Sequence, residues 1–262
     1  MRHCITRRRP GPIGALVALL LLATATHAVA QDQPVRSAHV VRAIDGHSLQ
    51  LDGEIAVLAG IEVPLPSDGR YAQRWAQLAR QKLQALAAGA TLQFAMVGSG
   101  HDRYARLLAQ ISDGDGLWLQ GEMLHAGLAR VWVPSSTPDR LAEMLKLEDE
   151  ARRARRGIWS DPFFAVLEAQ GIGFQHLDRL QLVEGKVVAV ATVRGTTYVN
   201  FGADWRSDFT LEIDAPTRRL LLKAGLDPAA LKDHRVRVRG WPLWRNGPAI
   251  EIKYLSQIER LD

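Results

Sequence analysis

Two short carboxylate-rich segments contain residue types that could bind a metal ion. In Asp45-Gly46-His47, a carboxylate and an imidazole are two residues apart, and this spacing is common by chance. The segment Asp113-Gly114-Asp115-Gly116 places two carboxylates close together, but the later ligands and the glutamate of an EF-hand calcium loop do not follow it. We therefore predict a hairpin turn at 113–116, whereas the first segment is either a turn or part of a metal site.

The C-terminal third combines arginine with aromatic side chains. Residues 235–239 read RVRVR, so a strand there would carry Arg237 and its two neighbouring arginines on one face. Aromatic residues interleaved with arginine on a small barrel suit single-stranded nucleic acid, and they equally suit a barrel core with a solvated rim. We take Arg237 as the candidate phosphate contact. The other residues of this group are Arg194, Tyr198, Phe201, Trp205, Arg206, Trp241, Trp244 and Arg245.

Local patterns predict the elements that must position these side chains. Two Asp-Gly pairs, at 45–46 and 52–53, separate apolar-alternating runs and indicate hairpins. Helical periodicity, closed by glycine, predicts three helices. They cover 70–88, 117–127 and 138–156, and strands are expected at 91–97 and 104–111. Beyond residue 181, three strands up to residue 213, a helix and two further strands predict a second small barrel of the oligonucleotide/oligosaccharide-binding (OB) type.

The N-terminus has the pattern of a secretory signal peptide. Residues 2–9 carry four arginines, residues 13–25 are apolar, and Ala28-Val29-Ala30 is a small-residue cleavage site. The apolar run is too short for a spanning helix, which needs about 20 residues. We predict cleavage after Ala30 and a periplasmic or secreted protein without stable membrane association; the alternative is an uncleaved anchor.

Loss of residues 1–30 changes the inferences from cysteine and charge. Cys4 is the only cysteine, so the mature chain would have no disulfide, thiolate metal site or thiol nucleophile. Four of the 33 basic residues lie before residue 31, which leaves 29 basic against 28 acidic residues. The high isoelectric point of the full sequence is therefore not an argument for nucleic-acid binding.

Residues 38–161 resemble the staphylococcal nuclease (thermonuclease) family. The resemblance is carried, in order, by the segments AIDGHS, LAGIEVP, DRYARLLA, AGLARV and RRGIWS. It implies a five-stranded OB-type barrel with three helices, and calcium-dependent hydrolysis of phosphodiester bonds in nucleic acid. We predict a mainly β (α+β) fold with a signal peptide at 1–30, a nuclease-like domain at 37–164 and an OB-like β domain at 178–262.

Three positions of the family's catalytic pattern are replaced. In the family, two aspartates bind the metal, two arginines hold the phosphate, and a glutamate activates water. By the resemblance, His47 occupies the position of one ligand aspartate, Val57 that of the first arginine, and Leu65 that of the catalytic glutamate. Valine cannot donate a hydrogen bond and leucine cannot carry a proton, so little of the family's activity is expected.

Two other positions of the family's pattern keep a side chain of the same charge. Glu62 stands at the second ligand aspartate, and Arg106 matches the second arginine. Because the segment around Arg106 is retained, Arg103 and Tyr104 are predicted at the rim of the phosphate site. Trp132 lies near the positions where the family places tyrosines against the base, which suits either stacking on a base or packing.

These replacements leave several interpretations open. Asp45, His47 and Glu62 could form a remodelled site for a divalent metal, or they could be structural, with Glu62 paired to Arg106, which is the simpler interpretation. We predict a secreted family member that is weak or inactive as a phosphodiesterase, a pseudoenzyme that retains binding of nucleic acid or another anionic ligand. The alternatives are an active metal-dependent nuclease with altered ligands and a non-enzymatic periplasmic scaffold.

Overall fold

The N-terminal half contains a closed five-stranded barrel, as the sequence predicts. The structure is a computed structural model that describes Met1 and residues 36–134, 140–204 and 206–262. The first eight strands are β1 (Arg36–Ala43), β2 (Ser48–Leu51), β3 (Ile55–Leu58), β4 (Ile61–Glu62), β5 (Thr91–His101), β6 (Leu107–Ser112), β7 (Arg130–Val131) and β8 (Leu167–Glu168). The barrel order is β1-β2-β3-β6-β5, and β4 pairs with β7 beside it. Its interior is filled by fully buried side chains such as Leu49 and Phe94.

Three helices accompany the barrel: α1 (Arg70–Ala87), α2 (Leu119–His125) and α3 (Leu141–Arg153). The buried residues of α1, which include Trp75, Ala79 and Leu83, recur at helical spacing and belong to the same core as the barrel interior. The predicted fold class is thus confirmed, with a barrel and three helices in the expected order.

Two glycines allow the ends of α2 and α3 to meet. Gly127 and Gly157 both have positive φ, at 67° and 53°. A Cβ on Gly127 would lie 2.3 Å from the carbonyl oxygen of Arg156, and one on Gly157 would lie 2.1 Å from that of Gly127. The N–H of Ile158 donates to Gly127 O at 2.8 Å. This contact between backbones fixes the helices that flank the segment containing β7.

The C-terminal half has its strands in two sheets around a second core, whereas the sequence predicts a second small barrel; among the described residues, only the N-terminal strands close into a barrel. The elements are β9 (Gln181–Lys186), β10 (Ala189–Val193), β11 (Thr196–Asn200), β12 (Thr210–Ile213), α4 (Ala215–Lys223), β13 (Arg235–Gly240), β14 (Leu243–Trp244), β15 (Pro248–Ile252) and β16 (Ile258–Arg260). One sheet has the order β10-β11-β12-β15-β14 and the other the order β16-β13-β9-β8. The sequence predicts three strands between 181 and 213, but there are four. The reason is that the apolar run passes from one sheet to the other near Val187, whose N–H donates to His234 O.

Several sequence predictions lie outside the described residues: the signal peptide at 1–30 with Cys4, and Trp205. Residues Gln33–Asp262 form one compact unit, and Leu182 of β9 belongs to the same core as the barrel. Within the described residues, no helix is both long and apolar enough to cross a membrane.

Candidate functional site

The turn between β1 and β2 holds His47 in a fixed position. Oδ1 of Asp45 accepts the backbone N–H of His47 at 2.9 Å and also lies 3.0 Å from Nδ1 of the imidazole. A Cβ on Gly46 would lie 2.5 Å from the Cβ of Ala79, so glycine allows the turn to pack against α1. The Asp-x-His spacing therefore forms a tight turn in which the carboxylate orients the imidazole.

A cleft of about 230 Å³ brings together five of the ten site residues predicted from the sequence. Its lining includes His47, Val57, Glu62, Arg106 and Trp132. Four other predicted residues, Asp45, Leu65, Arg103 and Tyr104, do not line it: Asp45 contacts His47 from the same turn, and Tyr104 is 64% exposed on the turn that precedes Arg106. The guanidinium of Arg103 lies 4.8 Å from the centre of the Tyr104 ring, which leaves both side chains beside the cleft.

Arg106 pairs with Asp102, and this partner is not the one expected from the sequence. The Nε and Nη2 atoms of Arg106 each lie 2.7 Å from Oδ2 of Asp102. Oδ1 of Asp102 accepts the backbone N–H groups of Tyr104 and Arg106. Burial acts to raise the pKa of Asp102, but its hydrogen bonds and the charge of Arg106 outweigh this, so the pKa is lowered. The expectation that Glu62 pairs with Arg106 is wrong, because the turn from 102 to 106 brings a closer carboxylate.

Asp102 is the site residue that sequence reasoning missed. It lies four residues before Arg106 in a turn closed by the left-handed Ala105 and by Asp102 N donating to Arg106 O. An aspartate that begins a tight turn and satisfies its N–H groups is a recognisable local pattern. That pattern was the available signal for an aspartate that orients Arg106.

Glu62 lies in a less hydrated wall of the cleft. In the two-stranded sheet of β4 and β7, Glu62 lies opposite Arg130 in the strand register. Burial raises the pKa of the Glu62 carboxyl above its ordinary value, although the charges of His47 and Arg130 oppose this. Burial lowers the pKa of Arg130 to about 10, and Nη1 of Arg130 donates to Leu180 O. The cleft therefore contains a carboxyl that is harder to ionise than an exposed one.

The donors in the cleft do not fit a calcium ion. Calcium needs six to eight oxygen ligands, whereas the side-chain oxygens in the cleft lining are those of Glu62, of Asp102, which is paired with Arg106, and of Gln110, which accepts from Trp118. Among the residues that the structure describes, no three His, Cys, Asp or Glu side chains are grouped so that they could hold a metal ion. The predicted ligand set of Asp45, His47 and Glu62 is not assembled as such, because one oxygen of Asp45 is already used by His47.

The C-terminal half supports the cleft wall around Trp132. The ring of Trp132 packs edge-on against Trp241 at 4.6 Å and against Tyr254 at 6.3 Å between ring centroids. The Oγ of Ser256 donates to Val133 O at 2.6 Å. Packing is thus an observed role of Trp132, while one part of its side chain still lines the cleft.

The prediction that Arg237 forms a basic, phosphate-binding surface is wrong. Its side chain is only 10% exposed, its Nε donates to Glu184 at 2.8 Å, and it also contacts Glu259. Arg239 is fully buried and pairs with Glu148 and Glu259. Each of these guanidinium groups pairs with carboxylates from neighbouring elements. The positive charges of Arg237 and Arg239 are therefore compensated inside the protein.

Two further predictions agree with the structure: the turn at 113–116 and the packing of Trp159 in the core. Oδ1 of Asp113 accepts the N–H groups of Asp115 and Leu117 at 2.9 and 2.8 Å, as a tight turn requires. Trp159 is buried with the barrel core. These residues are structural and lie outside the cleft lining.

The imidazole of His47 is expected to make folding stability depend on pH. Burial lowers its pKa, but the carboxylates of Asp45 and Glu62 outweigh burial, so the pKa is raised above 6.5. Because the pKa is raised, the stabilisation that protonated His47 gives to the fold is fully present below pH 6.5. It is lost as pH rises through the pKa of His47 in the folded protein. The raised pKa of Glu62 likewise makes the folded protein less stable as pH rises.

Denaturant unfolding between about pH 6 and 8 would measure this dependence. We expect the His47→Gln variant to lose less stability over this range than the unchanged protein does. His125→Gln, which alters an exposed histidine on α2, is the matched control. A His47→Gln variant with the same pH slope as the unchanged protein would contradict the assignment.

Comparisons with known proteins find relatives of the barrel half of the chain. The family model described as "Staphylococcal nuclease homologue" matches residues 56–161. Two proteins named "Uncharacterized endonuclease", one from Escherichia coli O157:H7 and one from Escherichia coli, are each 32% identical to the chain over 124 residues. The similar region is 47% of this chain and 76% of each relative. The family model thus ends before the C-terminal half begins.

Proposed function

Because the chain belongs to the staphylococcal nuclease family, we propose that its cleft binds phosphate groups of nucleic acid or of another anionic ligand and hydrolyses phosphodiesters weakly or not at all. The relatives are named endonucleases, which makes a nucleic acid the first ligand to test. Secretion through the N-terminal segment is part of the same proposal.

The composition of the cleft is the observation that carries this proposal. Arg106 lines the cleft and is oriented by Asp102, which supports its assignment as the phosphate-binding group. Val57 stands where the family resemblance implies a second arginine, and its side chain is 6% exposed. Leu65, at the implied position of the catalytic glutamate, packs against the barrel core. Binding needs only the first of these groups, whereas rapid hydrolysis needs stabilisation of the charge that develops in the transition state.

His47 adds to the attraction for anions when it is protonated. Its raised pKa means that a larger fraction is charged near neutral pH than for an exposed histidine. Glu62 opposes the attraction when it is ionised, and its raised pKa reduces that opposition. Anion binding should therefore strengthen as pH falls toward 6.5.

An Arg106→Ala variant tests the binding part of the proposal. Charged hydrogen bonds contribute about 1.5–3 kcal/mol, so its affinity for a single-stranded DNA oligonucleotide should fall about tenfold to a hundredfold. Fluorescence anisotropy at low salt is the measurement, because phosphate contacts are strongest there. Arg153→Ala, which alters a 78% exposed arginine on α3, is the matched control. Equal losses in the two variants would mean that the cleft is not the binding site.

A nuclease assay tests the catalytic part. Single-stranded DNA and RNA would be incubated with the unchanged protein in calcium, in manganese and in EDTA. We expect little or no cleavage under all three conditions. Cleavage that EDTA suppresses and that Arg106→Ala abolishes would overturn the proposal in favour of an active metal-dependent nuclease.

A further inference from the structure

The outer face of the five-stranded C-terminal sheet contains a second, larger cavity. Its volume is about 500 Å³, within the roughly 300–1,000 Å³ of small-molecule sites. It is lined by side chains of β10, β11 and β12 and by the turn between β14 and β15, notably Tyr198, Asn200, Glu212 and Arg245. We call this cavity the sheet groove. Neither the family match nor the proposed function involves it.

Strand register explains why these side chains share one face. Tyr198 lies opposite Ala191 on one side and Glu212 on the other, and Glu212 lies opposite Glu251. Intervening residues such as Val199 and Leu211 are fully buried in the second core. Side chains alternate between the two faces of a strand, so the groove residues point away from the core.

The rim of the sheet groove is held by close packing. The turn that follows Arg245 contains Asn246 and Gly247, both with positive φ. A Cβ on Gly247 would lie 2.8 Å from backbone atoms of Ser207. Nη1 of Arg245 then reaches Glu212 at 2.8 Å and Glu251 at 2.6 Å. The guanidinium is therefore fixed across the groove before any ligand binds.

Charge argues against a phosphate-bearing ligand in this groove. In the lining, the charges of Arg245 and Glu212 cancel, and Nη1 of Arg245 is already held by Glu212 and Glu251, so the groove presents no net positive charge while the other N–H groups of Arg245 remain for a ligand. A ligand that both donates and accepts hydrogen bonds, without charge of its own, best matches the Glu212 carboxylate, the remaining N–H groups of Arg245 and the amides of Asn200 and Asn246. The half-buried ring of Tyr198 adds a flat apolar surface that can cover the apolar face of a sugar ring.

From these features we propose that the sheet groove binds a neutral oligosaccharide. The site is separate from the cleft of the proposed function, and the two can be tested independently. Hydroxyl groups of the sugar would bind Glu212, Asn200 and Arg245, and one sugar ring would stack on Tyr198.

Calorimetric titration of the full chain with maltotetraose, cellotetraose and chitotetraose tests this proposal. We expect at least one of them to bind, and Tyr198→Ala to weaken that binding by about tenfold. Tyr198→Phe keeps the ring and should stay within about threefold of the unchanged protein. Tyr71→Ala, which removes a 52% exposed tyrosine on α1, and Arg106→Ala should both leave the affinity unchanged.

Three results would overturn the proposal. They are the absence of binding by all three sugars at millimolar concentration, an affinity that Tyr198→Ala does not alter, and binding of single-stranded DNA that is lost in Tyr198→Ala. Thermal unfolding of each variant shows whether the fold is retained. Because Arg106→Ala reports on the cleft alone, failure of the sugar site is distinguishable from failure of the proposed function.

Discussion

An Arg239→Ala variant is expected to unfold with a free energy about 3–5 kcal/mol lower than that of the unchanged protein. Arg239 is fully buried, and its guanidinium pairs with Glu148 of α3 and Glu259 of β16. Removing it would leave the carboxylate of Glu148, which is only 3% exposed, without its cation, whereas Glu259 would keep its contact with Arg237. The penalty therefore comes mainly from uncompensated buried charge rather than from the lost attraction.

The same variant should also disturb the cleft. Nη1 of Arg239 donates to Val131 O at 2.9 Å, and Glu148 accepts the N–H of Val131 at 2.7 Å. Both contacts hold β7, which pairs with β4 and thereby with Glu62. Loss of oligonucleotide affinity is expected to accompany the loss of stability, although Arg239 does not line the cleft.

Urea unfolding followed by circular dichroism would measure this effect. The matched control is Arg153→Ala, which breaks an exposed pair with Asp149 and should cost no more than about 1 kcal/mol. If Arg239→Ala were as stable as this control, the ion pairs of Arg239 with Glu148 and Glu259 could not be what holds β13 to α3 and β16.

The triple variant His47→Asp, Val57→Arg and Leu65→Glu is expected to gain calcium-dependent phosphodiesterase activity. It returns to the cleft region the three groups that the family resemblance implies. Removing a single electrostatic group of this kind commonly costs about a hundred- to a thousand-fold in rate, so a gain of at least about a hundredfold is expected. Such groups act together, and single substitutions should therefore gain much less.

The gain would be measured as calcium-dependent cleavage of single-stranded DNA. Adding Arg106→Ala to the triple variant should abolish it, because Arg106 lines the cleft and is the residue that we propose to bind the phosphate. A folded triple variant whose rate does not rise would contradict the view that these three replacements account for weak activity.

Much of the barrel half could be predicted because its signals are local. The Asp-Gly turns, the helical periodicity of α1 and the order of the family-like segments depend on residues close together in the chain. The same order brought His47, Val57, Glu62, Arg106 and Trp132 to one cleft. The pairing of Arg106 with Asp102 was also local, and the turn pattern that contains it was the signal that was overlooked.

The C-terminal half was less predictable because its main contacts are between distant residues. The RVRVR pattern correctly indicated a strand, but whether its arginines face solvent depends on Glu148, which lies 91 residues before Arg239. Likewise, the run from 181 to 193 gives no local sign that it passes between two sheets. Strand preference is a property of neighbouring residues, whereas burial and charge pairing are properties of the assembled fold.

The sequence by itself therefore determined the class of fold, the family of the barrel and the apolar character of positions 57 and 65. Only the tertiary structure decided which carboxylate pairs with each arginine, and so which arginines can still bind a ligand. The physical reason is that a buried cation must be compensated by charges from whichever elements pack against it. In this protein those elements come from both halves of the chain.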